Sequence, residues 1–126
     1  DLRQMIRDHA VETEKHREVV LKILQNMGVK IENDECKAIA GLVKGGEEHL
    51  NGVNVPHTRD IMMIAHCQRI EHYEIAAYEI TTRLGQFLGK HAEVEPLSVN
   101  LEEERAAALE LKELENHLLE TAGVTP

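Results

Sequence analysis

Aromatic side chains are almost missing from this 126-residue chain: no Trp, one Phe and two Tyr, 2% of all residues. Proline is scarce too, at three residues. A core without rings suits helices packed on aliphatic side chains better than a β-sandwich or barrel. Excess positive charge is also lacking. Fourteen Lys and Arg stand against 23 Asp and Glu, a formal net charge of -9, and a nucleic-acid backbone asks for the opposite sign. The two cysteines, Cys36 and Cys67, form no CxxC pair, which excludes a zinc ribbon and a disulfide framework and points to a reducing, cytoplasmic setting. No run of 18 apolar residues exists, and the opening "DLRQMIRDHA" does not read as a signal peptide, so no membrane association is expected. The chain does not begin with Met and reads as part of a longer one.

What is there is helical periodicity. The length suits a single domain over residues 1–126, large enough to bury a core. Glycine and proline divide the chain into four helical segments. The first runs from about Leu2 to Met27, before Gly28. A weaker one covers about Glu35 to Leu50 and is interrupted by Gly45 and Gly46. A long third segment starts at Thr58, a plausible cap, and ends near Leu88. The last spans about Ser98 to Thr121, after Pro96. No strand-like alternation stands out, and the expectation is an all-α bundle.

Projected at about 100° per residue, each long helix shows an apolar arc with charge inside it. In the first, Met5, Val19, Val20, Ile23 and Met27 share an arc whose middle holds His9, Glu12 and His16. In the last, Leu97, Leu101, Ala107, Ala108, Leu111, Leu114 and Leu118 surround Glu104. The third is apolar around more than half its circumference. Glu74 falls inside that arc, between Met63 and Cys67, and Glu71 falls nearer its edge. The segment "RIEHYEIAAYEI" thus carries two carboxylates among core residues, although a buried carboxylate is costly unless paired, protonated or metal-bound.

Spacings of three or four residues put two ligands on one helix face. His9-x-x-Glu12, Glu12-x-x-x-His16 and Glu71-x-x-Glu74 all meet that condition. Bundles of the di-iron and di-manganese type draw Glu and His from facing helices, and iron and manganese accept both donor types. Four carboxylates, with Glu104, could offset the charge of two divalent ions. The bland reading is a set of satisfied core residues or helix–helix salt bridges. Glu115 illustrates it. That residue also lies on the last helix's apolar arc, yet about 16 Å along the axis from Glu104, too far to share a site. Coincidence across three helices is what favours a site. The other candidates read as ordinary: His72 exposed, His66 a buried or lid histidine, Cys67 a small core residue, and Tyr78 a packing residue able to hydrogen-bond a ligand.

The block "RDIMMIAHCQRIEHYEIAAYEI" resembles the signature of the YciF/YciE family of ferritin-like bacterial stress proteins, which runs much like RDAALIAAAQ-[KR]-VEHYEIA-x-Y. "DHAVETEKH", "CKAIAGLVKGGEE" and "LEEERAAALEL" resemble three further family segments in the same order, so the similarity spans nearly the whole chain. The resemblance implies an all-α, ferritin-like up-down helical bundle with a dinuclear metal site, usually a homodimer. Carried over by position, the implied metal ligands are His9, Glu12, Glu71, Glu74 and Glu104, with His16 peripheral because relatives often have Gln there. Two differences stand out. Relatives begin with a further helix bearing a D-x-x-x-A-E-K-Q-L segment whose Glu completes the site, and this sequence is expected to start after it. The family's Asp a turn beyond E-E-[KR] is Ala108 here.

Two functions follow as expectations. The leading one is a dinuclear iron or manganese carboxylate protein that handles oxygen or peroxide, a small oxidant substrate, in a stress setting; whether it is an enzyme stays open. The alternative is a metal-free helical stress protein acting through dimerisation or partner binding, its buried Glu and His forming a structural network. A single structural zinc is disfavoured by the lack of cysteine ligands at suitable spacing.

Overall fold

The structure, a computed structural model, describes residues 1–32 and 35–122. Among them the chain forms helices α1 (Leu2–Asn26), α2 (Lys37–Leu50), α3 (Pro56–Phe87) and α4 (His91–Thr121), and no strand. The all-α expectation holds. Helix α1 starts where the Asp1 side chain accepts a hydrogen bond from the Arg3 amide at 2.8 Å, closing one of the free N–H groups of the first turn.

Three boundaries differ from expectation, each for a local reason. Helix α2 runs unbroken through Gly45 and Gly46, because Gly46 is where the His66 ring of α3 packs; a Cβ there would sit 3.2 Å from His66 Cγ. Helix α3 begins at Pro56 rather than Thr58, with proline in the first turn, where its missing N–H has no intrahelical partner to lose. Helix α4 begins at His91 and carries Pro96 inside it. Burial of Val94 and Leu97 on either side of that proline holds the roughly two extra turns in place.

Helices α3 and α4 form the main hairpin. The turn between them passes through Gly89 at φ 70°, a left-handed conformation that suits glycine, and the Lys90 amide donates to the Gly85 carbonyl at 2.8 Å. Buried positions on α4 are Val94, Leu97, Asn100, Leu101, Glu104, Ala107, Ala108 and Leu111, the 3.6-residue stripe that the sequence carries. Helix α1 packs along α4, and α2 packs on α3. Met5, Ile64, Ala107 and Leu111 make the core, with Leu2, Ile6, Cys67, Leu114 and Leu118 against it. Ile64 and Leu111 are fully buried. This core lies at one end of the three long helices, so the next inward turns of α1, α3 and α4 meet immediately beyond it.

Candidate metal centre

Beyond the core the inward side chains become polar. His9, Glu71, Glu74 and Glu104 each offer one ligand atom, and those atoms all lie within 4.8 Å of one another. His9 comes from α1, Glu71 and Glu74 from α3, and Glu104 from α4. His9 Nε2 lies 3.1 Å from Glu71 Oε1 and 3.6 Å from Glu104 Oε2. Glu71 and Glu104 are buried, at 3% and 0% exposure, while Glu74 is half-buried. The wheel gave the opposite order for the α3 pair. Helix α3 is flanked by both α2 and α4, so its apolar arc does not point at the site.

Glu12 stands apart from the four. Its Oε2 lies 3.6 Å from His9 Nδ1, on the ring face away from Glu71, and its side chain is 43% exposed. From there a carboxylate can orient a ligating imidazole through its far nitrogen. His16, ranked as peripheral from sequence, is buried at 3% exposure. Its Nδ1 lies 2.8 Å from Glu104 Oε1 and its Nε2 lies 2.6 Å from Glu103 Oε2.

Asn100 had no role in the sequence reading. It is 2% exposed and donates through Nδ2 to Tyr78 Oη at 3.1 Å and to the His16 carbonyl at 3.4 Å. Its position one turn before Glu104, on the same face, was the available signal. Tyr78 also packs edge-on to His16, with ring centroids 6.3 Å apart. His66 lies instead between α2 and α3 against His49, their centroids 5.2 Å apart. Cys67 is half-buried beside the core, as expected.

Three carboxylates in one buried place repel one another. Burial, with Glu74 and Glu71 alongside, pushes Glu104 up to about 7. Burial and Glu71 also raise Glu74. The Glu71 carboxylate against His9 raises that imidazole to about 9, opposed by burial. Such crowding of acids around an imidazole occurs at functional sites and in structural ion-pair networks alike. The donor set fits a cation on a further observation: Glu71 Oε2 and Glu104 Oε2 are buried without hydrogen-bond partners. Buried polar atoms normally find partners, and carboxylate oxygens without one are the donors a divalent ion would use.

A cleft of about 150 Å³ between α1 and α4 borders the centre at His9 and is lined also by Asp8, Glu12, Glu103 and Glu110. No helix among the described residues is long and apolar enough to cross a membrane.

Known proteins share this arrangement of helices. Protein YciF of Escherichia coli (strain K12) is 32% identical over 114 residues, which cover 90% of this chain and 69% of YciF. The crystal structure of the E. coli stress protein YciF superposes with a TM-score of 0.87 at 30% identity, over 93% of this chain and 74% of that one. YcfI from Rhodopseudomonas palustris superposes with a TM-score of 0.84 at 34% identity, over 89% of this chain and 71% of YcfI. A family model described as a domain of unknown function, DUF892, matches residues 1–122, and the chain belongs to this YciF-containing family of helical bundles.

Proposed function

We propose that the chain is a metal–carboxylate protein of the YciF type, a single helical domain that holds iron or manganese among His9, Glu71, Glu74 and Glu104. The observation that carries this reading is the pair of buried, unpartnered carboxylate oxygens, on Glu71 and Glu104, within reach of one imidazole. His9 would give the nitrogen donor, with Glu12 orienting it through Nδ1. Glu71 and Glu104 would bind through their free oxygens, and Glu74 would complete the set from the half-buried side. A second ion would have to share bridging carboxylates, so the stoichiometry decides between one ion and the pair that the resemblance implies.

Bound iron or manganese would supply one-electron redox chemistry toward oxygen or peroxide. The chain's own residues contribute charge and access. Three carboxylates offset the cation's charge, the surrounding helices exclude bulk water, and the acidic cleft between α1 and α4 draws cations inward. The setting would be a cytoplasmic stress response. Exposed Ile80, Leu84, Phe87 and Leu88 toward the end of α3 support association with a second copy.

A metal-free network is the second reading. What favours it is that His9 already faces Glu71 and His16 already faces Glu104, so part of the buried charge is matched without an ion. Elemental analysis of the purified chain, with Glu71→Ala and Glu104→Ala beside it, separates the two. Stoichiometric iron or manganese, lost in both variants, supports the metal reading. Its absence after reconstitution with either ion sinks it and leaves the network.

A further inference from the structure

Glu104 does not present both oxygens to the centre. Oε1 is engaged by His16 Nδ1 at 2.8 Å, and only Oε2 is left, buried and unpartnered, 3.6 Å from His9 Nε2. His16 is itself held at several points. Its second nitrogen meets Glu103 Oε2 at 2.6 Å, its carbonyl accepts from Asn100 Nδ2 at 3.4 Å, and the Tyr78 ring stands edge-on to it. With 3% exposure, the imidazole has little room to turn away.

We infer that His16 is a positioning residue that makes Glu104 a one-oxygen ligand, and that this biases the centre toward manganese- or iron-type cations and against calcium. The inference rests on the cation-binding reading above. Calcium takes six to eight oxygens and commonly uses a carboxylate through both of its oxygens. Iron and manganese accept a mixed set of imidazole and single-oxygen carboxylates. An imidazole fixed on Oε1 removes the two-oxygen mode that calcium would use at Glu104. Glu103, with its side chain 45% exposed, is the outer anchor that sets the ring.

Titration of the full chain with Mn²⁺ and with Ca²⁺, and the visible spectrum of the Co²⁺-loaded protein, test this. The variants are His16→Ala, His16→Asn, His16→Gln and Glu103→Gln, each checked for fold by circular dichroism. Loss of an outer partner of this kind lowers metal affinity on the order of 10- to 100-fold. His16→Ala is expected to weaken Mn²⁺ by that factor, to weaken Ca²⁺ less, and to change the Co²⁺ bands. His16→Gln, whose amide can still donate to Oε1, is expected to restore the Mn²⁺/Ca²⁺ ratio, while the shorter Asn is not. Glu103→Gln keeps a hydrogen-bonding partner but loses the anchor's charge, and is expected to shift the Co²⁺ bands less than His16→Ala does. A folded His16→Ala protein with an unchanged ratio and spectrum overturns the inference. So does an equal loss for both cations that Gln does not repair, because that is what a purely structural histidine gives. If the Ala variant does not fold, the Asn and Gln variants carry the comparison, and identical ratios in those two overturn it. A wild-type chain that takes up none of the three ions fails the cation-binding reading itself, a separate result.

Discussion

His9 Nε2 and Glu71 Oε1 meet at 3.1 Å, joining an early turn of α1 to the middle of α3 across the buried centre. Glu12 approaches the same ring from its other nitrogen, at 3.6 Å, with its side chain 43% exposed. The ring and the glutamate behind it should therefore respond differently to substitution. His9→Ala is expected to abolish metal binding, while Glu12→Gln weakens it by roughly 10-fold, the smaller effect of an orienting group. Glu115→Ala, on the α4 stripe but outside the cluster, should leave metal content unchanged. Isothermal titration with Mn²⁺ reads all three.

Chelation should lower thermal stability. A ligand that binds only the folded state adds about 2.7 kcal/mol when its concentration is a hundred times its dissociation constant. For a domain of this size that is roughly 10 °C in melting temperature. Differential scanning calorimetry with Mn²⁺ and with excess EDTA checks it, and equal melting temperatures for a protein shown to hold metal would contradict a site made by the fold.

The metal-free protein should behave unusually with pH. Glu104 is raised to about 7, so its burial cost is fully felt above that value and vanishes below the ordinary carboxylate value of 4.5. His9 is raised to about 9, so its stabilising charge is complete below 6.5 and lost as pH rises through 9. In both cases the folded state holds more protons than the unfolded one, so stability falls as pH rises. The metal-free melting temperature should climb on going from pH 9 toward pH 5. Metal loading should reverse this trend, because protons compete with the ion for the same groups. Melting curves across that range, with and without Mn²⁺, are the measurement.

Two glycines should give opposite answers. At Gly41 in α2 an added Cβ meets nothing within 4 Å, and Gly41→Ala should stabilise by about 0.5–1 kcal/mol through helix propensity. At Gly85 in α3 the added Cβ would sit 2.6 Å from Val94 Cγ2, where α3 and α4 draw together before their turn. Gly85→Ala should therefore destabilise, by about 1–3 kcal/mol as overpacked cores do. Urea titration of both variants decides it.

The fold was largely legible because its signals are local. Apolar stripes at helical spacing, and glycines at 28 and 89, mark the long helices within a few residues. Pro96 misled because a proline reads as a break, whereas packing of Val94 and Leu97 outweighs one lost hydrogen bond.

The cluster was partly legible for the same reason. His9 and Glu104 lie on single-sided stripes, so a wheel aims them inward. Glu71 and Glu74 lie on a helix with neighbours on more than one side, where no single direction marks the site. The part played by His16 could not be read at all from spacing. Its partner Glu104 is 88 residues away, and only the folded contact shows that one nitrogen holds it.

The placement of the centre has a kinetic side. Helices α3 and α4 are neighbours in sequence, joined by the short turn at Gly89, and such local pairing forms early in folding. Helix α1 must close a much longer loop before His9 can face Glu71 and Glu104, so the centre exists only once α1 has docked. An ion held there grips a contact that is absent from the hairpin that precedes it. Interactions made that late act on unfolding rather than on folding, so an ion bound there should prolong the life of the native chain while leaving its rate of formation almost untouched.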